Sequence, residues 1–92
     1  MSDYKRSAVP NSARRHACVN AGAVIGERTP VSCYYCGTSG EVDWTRQPYW
    51  PVIAGLEVEH RKALRAGGTN SPDNMTLACR NCNRRKRDAD WS

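Results

Sequence analysis

Two Cys-x-x-Cys pairs, Cys33-Tyr34-Tyr35-Cys36 and Cys79-Arg80-Asn81-Cys82, offer four thiolates, a donor set that suits tetrahedral zinc. Residues 37–78 separate the pairs, far more than the gap of about 15–20 residues usual in four-cysteine modules. The insert carries Glu59-His60, Gly67-Gly68 and Asn74, and Asn83 follows the second pair directly. A neutral imidazole at His60 can take a proton from water and so make a nucleophile. The Glu59 carboxylate and the Asn83 amide oxygen suit a hard divalent cation, with room left for water and a substrate phosphate. Such an ion can stabilise a leaving oxygen in phosphodiester cleavage. Zinc then reads as scaffolding: it clamps the strand-to-helix corner beside Asn83, so chemistry that depends on Asn83 depends on the zinc.

The elements that must position these groups are few. Residues 1–10 read as a flexible arm and residues 11–92 as a single domain. Asn11 or Ser12 is suited to cap a helix from about Ala13 to Gly22, with Ala13, Ala17, Ala21 and Val24 as its apolar stripe. Cys18 has no assigned role. Cys36-Gly37 reads as a zinc knuckle, with glycine supplying an unusual backbone angle. A short strand is expected near Glu41–Thr45. Residues 46–55 hold two prolines and read as a loop, in which Tyr49 and Trp50 are expected to cover the core. Leu56-Glu57-Val58-Glu59-His60 alternates like a half-buried strand, and residues 66–73 are a run of turn formers. Residues 74–78 form a second candidate strand, and Asn81 is suited to cap a last helix from about Cys82 to Asp90. Adjacent strand residues face opposite ways, so Glu59 and His60 can share a site only if the strand ends or distorts there. Glu57 lies on the Glu59 face; it reads first as a solvated carboxylate and second as a substitute ligand.

Composition narrows the class. The chain has 92 residues, no Phe and only 39% hydrophobic residues, so a metal staple is physically expected. Five cysteines, an odd number, argue against a disulfide framework. No apolar run is long enough to span a bilayer, and Met1–Arg6 leads into polar sequence unlike a secretory signal. A cytoplasmic, reducing setting is therefore expected. Of the net charge of +5, the cations cluster at the C-terminal end, where Arg61, Lys62, Arg84, Arg85, Lys86 and Arg87 are candidate DNA contacts. Arg14 and Arg15 could add phosphate contacts. Phosphate contacts alone imply weak sequence preference and strong salt dependence.

Taken together, Cys33-x-x-Cys36-Gly37, Leu56-x-Val58-Glu59-His60, Gly67-Gly68, Asn74-Met75 and Cys79-x-x-Cys82-Asn83-x-x-Lys86 resemble the HNH endonuclease family in its zinc-bearing form. The resemblance spans roughly residues 33–86. It implies a small α+β fold: a ββα-metal core with a structural four-cysteine zinc site, here preceded by an N-terminal helix. It also implies a metal-dependent DNA endonuclease that nicks or cuts, with His60 as general base and Asn74 bracing the loop that orients it. Glu59 and Asn83 would hold a catalytic Mg²⁺ or Mn²⁺. The family usually has Asp where this chain has Glu59. The extra methylene shifts the carboxylate by about an ångström, enough to matter for Mg²⁺ with ligands at about 2.1 Å, and could favour the larger Mn²⁺. Small free-standing members of this kind are common in phages, which implies a host-cytoplasmic setting and a link to phage packaging proteins; restriction, homing and toxin roles stay open. The competing reading is a non-catalytic zinc module that binds DNA or protein through Arg84, Arg85, Lys86 and Arg87. Under it His60, Asn74 and Asn83 have no joint purpose.

Overall fold

The structure, a computed structural model, describes residues 10–89; of Arg65 and residues 86–89 it describes the backbone. Apart from Pro10, the expected N-terminal arm lies outside the described residues, as do residues 90–92.

Helix α1 spans Asn11–Asn20. It starts earlier than expected, and neither Asn11 nor Ser12 caps it. Pro10 takes the cap position in an extended conformation, and its carbonyl accepts the Arg14 N–H at 3.1 Å. Gly22, at φ 100°, turns the chain away after the helix. The buried face is Ala13, Ala17 and Cys18, small enough for α1 to lie close on a sheet. Burial pushes the Cys18 thiol up to about 11, so it is a core residue held neutral.

Three strands, β1 (Arg28–Ser32), β2 (Ser39–Asp43) and β3 (Val52–Ala54), form an antiparallel sheet in that order. Only β2 was foreseen. Pro30 sits in edge strand β1, where a missing N–H is tolerated. The loop expected over residues 46–55 contains β3, because Pro48 and Pro51 precede the three-residue strand rather than interrupt it. The aromatic residue of the core is Trp44, whose indole N–H donates to the Tyr49 carbonyl at 3.1 Å. Tyr49 and Trp50, the expected core cover, are 43% and 37% exposed.

Strands β4 (Glu57–His60) and β5 (Met75–Ala78) form a second antiparallel sheet, with Glu57 opposite Ala78 and His60 opposite Met75. All four residues of β5 are buried, and α1 packs on this strand. Helix α2 (Arg80–Ala89) follows. It begins two residues before Cys82, and Asn81 lies inside its first turn. Cys79 acts as the cap instead: its sulfur accepts the Cys82 N–H at 3.4 Å, and its carbonyl accepts the Asn83 N–H at 2.9 Å.

The β4–β5 connection holds two short 3-10 turns, Leu64–Ala66 and Pro72–Asn74. Asn20 ties α1 to it, donating from Nδ2 to the carbonyls of Pro72 and Met75 at 2.7 and 2.8 Å. Gly67 caps the first turn at φ 95°. Gly68 is constrained differently, since a Cβ there would lie 1.8 Å from the Lys62 carbonyl oxygen. Backbone must therefore move to admit any side chain. Gly68→Ala is expected to cost about 1–3 kcal/mol and to lower the thermal midpoint, more than Gly67→Ala at about 1 kcal/mol. Calorimetry of the two variants checks the order; equal midpoints would show that the connection yields freely.

Candidate active site

The first cysteine pair sits on the β1–β2 turn and the second on the β5–α2 corner. Their four sulfurs all lie within 4.8 Å of one another. A tetrahedron with Zn–S of about 2.3 Å needs sulfurs about 3.8 Å apart, so the cluster fits a structural metal such as zinc. The Cys36 and Cys79 sulfurs are already 3.7 Å apart. The two turns share a design. The Tyr35 N–H donates to the Cys33 sulfur at 3.4 Å, as Cys82 does to Cys79. Gly37, at φ 84°, closes the first turn onto the Cys33 carbonyl. The Tyr34 N–H donates to the Leu77 carbonyl at 2.9 Å and hooks this knuckle to β5.

The thiols differ. The Thr38 hydroxyl, 3.0 Å from the Cys36 sulfur, and its backbone N–H bring Cys36 down to about 6. Burial, followed by the neighbouring thiols, pushes Cys82 up to about 12. Hydrogen bonds thus favour the thiolate at Cys36, and burial favours the neutral thiol at Cys82.

His60 ends β4. Its Nε2 lies 2.6 Å from Asn70 Oδ1, a partner that lay among the turn formers with nothing in the local pattern to single it out. Asn74 spans the connection: Oδ1 accepts the Lys62 N–H at 2.8 Å, and Nδ2 donates to the Lys62 and Thr69 carbonyls at 3.0 and 2.7 Å. The Asn74 carbonyl also accepts the Arg61 N–H at 2.8 Å. The residues directly after His60 are thereby fixed to the start of β5.

Register puts Glu59 opposite Thr76 and His60 opposite Met75, and β4 ends at His60, which meets the condition for the two to serve one site. Glu59 lies toward the knuckle: after burial, its charge is the chief cause that raises the Tyr35 hydroxyl to about 12. Asn83 projects from α2 and meets the other carboxylate of that face, its Nδ2 donating to Glu57 Oε1 at 2.7 Å. The structure therefore brings Asn83 to Glu57, with Glu59 two residues along. Period-two alternation was the signal for Glu57; its contact with Asn83 depends on how α2 docks. A carboxylate only accepts, so the Asn83 amine must face Glu57 and its oxygen is turned elsewhere. These oxygens are the hard donors that a divalent ion takes.

Arg61, Lys62, Arg84 and Arg85 are exposed. The side chains of Lys86 and Arg87, also expected DNA contacts, lie outside those described. Among the described residues, no helix is long and apolar enough to cross a membrane.

A β-hairpin, the helix that follows it and a four-cysteine clamp at their junction define a ββα domain built around metal. The family model for HNH endonuclease matches residues 33–89, more than half of the chain, and the chain belongs to that family. No curated protein and no solved structure gives a significant match.

Proposed function

We propose that the protein is a metal-dependent DNA endonuclease that hydrolyses phosphodiester bonds with His60 as general base. The observation that carries this reading is the placement of His60. It ends a strand whose connection is braced by Asn74, and that strand also carries Glu57, which bonds Asn83, with Glu59 two residues along. The water proton passes to the His60 ring as the water oxygen attacks phosphorus, and the bond from phosphorus to the leaving oxygen breaks. Asn70 holds the ring, and its amide oxygen stabilises the imidazolium that forms. Glu59 and Asn83, with Glu57 beside them, would hold a Mg²⁺ or Mn²⁺ ion, which supplies charge stabilisation at the leaving oxygen when bound. Arg61, Lys62, Arg84 and Arg85 hold the DNA backbone without reading sequence.

A supercoiled-plasmid assay tests the reading. Conversion to open-circle or linear DNA is expected with Mg²⁺ or Mn²⁺ and none with EDTA. No conversion in either metal by protein carrying a full complement of zinc would refute it.

Glu57 acts as a positioning residue for Asn83. Glu57→Gln removes the acceptor-only partner and allows the Asn83 amide to turn over. Mn²⁺ affinity is expected to fall about 10–100-fold, with zinc content and fold unchanged. Titration of Mn²⁺ followed by electron paramagnetic resonance reads this without turnover, and an unchanged affinity would rule the role out.

A further inference from the structure

A groove of about 460 Å³ runs between the zinc knuckle and the connection after His60. Tyr34, Tyr35, Arg61, Lys62, Gly68 and Asn74 are among its walls. We propose that this groove binds one unpaired nucleotide of a DNA strand, next to the phosphate addressed by His60, with its base stacked on Tyr34 and Arg61. The inference rests on the nuclease reading and names its substrate: DNA that is single-stranded, gapped or frayed at the cut.

Three observations support it. Tyr34 is a large ring left 53% exposed, yet it is held rigidly. Its backbone N–H is bonded to Leu77, and Tyr35 meets it edge-on, with centroids 5.1 Å apart and planes at 87°. The Arg61 guanidinium lies over one face of the Tyr34 ring, 5.0 Å from its centroid, and the two form a cationic aromatic stack on which a base can lie. Its Nη1 also donates to the Asp73 carbonyl at 3.4 Å, which steadies that pose. Arg61 and Lys62 bring two exposed cations immediately after His60, and Asn74 fixes their backbone. A backbone phosphate entering the groove thus meets positive charge, and the volume lies within the range of small-molecule pockets, about 300–1,000 Å³. Asp73, also on the rim, has its carboxylate engaged by the Ser71 hydroxyl at 2.8 Å. A paired base in a duplex has both faces covered by its neighbours, so only an unpaired base can lie on Tyr34. Such stacking tolerates any base, in keeping with a nuclease of weak sequence preference.

The test measures binding in a His60→Ala background, where cleavage does not deplete the probe. Fluorescence anisotropy compares a labelled oligothymidylate with a blunt duplex hairpin of equal length. The single strand is expected to bind more tightly. Adding Tyr34→Leu should weaken single-strand binding by about fivefold to a hundredfold and change duplex binding by less than about twofold, whereas Tyr34→Trp retains it. Arg61→Ala supplies a second variant away from the knuckle and should weaken single-strand binding more than duplex binding. Zinc stoichiometry and circular dichroism on each variant verify the fold. Equal losses on both probes, or no loss on either, would overturn the groove assignment while leaving the nuclease reading intact. Failure of the parent to bind either probe would overturn the nuclease reading itself.

Discussion

Replacing His60 with alanine is expected to slow plasmid cleavage by about 10²–10⁴-fold while leaving zinc content, fold and DNA affinity nearly unchanged. The separation between these readouts follows from how the connection is held. Asn74 makes its bonds to the backbone of Lys62 and Thr69, and Asn20 makes its own to Pro72 and Met75; none uses the imidazole. Removing the ring frees Asn70 Oδ1, but the bonds of Asn74 and Asn20 still hold the loop on its path. DNA affinity comes from cations, and Arg61, Lys62, Arg84 and Arg85 are all retained. On the proposed mechanism the missing group is the proton acceptor, so the loss falls on the rate at saturating DNA. Single-turnover kinetics on a nicking substrate, beside an anisotropy titration, would measure both. A parallel collapse of affinity would mean that His60 supports the surface rather than the chemistry.

Zinc removal is expected to have the largest effect on the fold. The core is thin: Ala13, Ala17, Ala23 and Ala78 contribute little apolar area each, and Trp44 is the large aromatic within it. Structural zinc in small modules is worth an apparent 10–16 kcal/mol or so, which matches or exceeds the whole stability of a typical domain, about 5–15 kcal/mol. The two cysteine pairs adjoin different sheets, so a metal held by them would join the β1–β2 turn to the β5–α2 corner. Stripping zinc with a strong chelator, or substituting Cys82→Ser, should abolish the cooperative thermal transition seen by circular dichroism. Retention of the parent midpoint after verified zinc loss would show that the protein core suffices. The pH dependence has a definite sign. Zinc capture must expel the proton of Cys82, the thiol held up by burial, so affinity rises with pH and acidification releases the metal.

The parts of the site legible in the sequence were those encoded by short-range spacing. Each cysteine pair, Glu59-His60 and the two glycines are legible from their immediate neighbours alone. Strand β4 carried its own alternation, and β4, β5 and helix α2 were placed to within two residues at their described ends. What escaped was set by distant packing. β1 holds Pro30 and β3 is three residues long, so neither shows alternation; each exists because β2 pairs with it. Trp44 could not be told from Trp50 by type, since burial is decided by how the first sheet closes. The bonds from Asn83 to Glu57 and from His60 to Asn70 join residues 26 and 10 positions apart, and no local rule links them.

Asn20 gives the N-terminal helix a stake in residues far beyond it. The family model begins at Cys33, yet two carbonyls flanking Asn74, those of Pro72 and Met75, are held from α1. The helix is thus not a detachable ornament. A fragment cut to the matched span would keep the four clustered cysteines, His60, Glu57, Glu59 and Asn83, but would lose Cys18 and an anchor of the segment that leads into β5. A portable piece that keeps this anchor, for grafting or for exchange by recombination, must include α1 as well as the matched span.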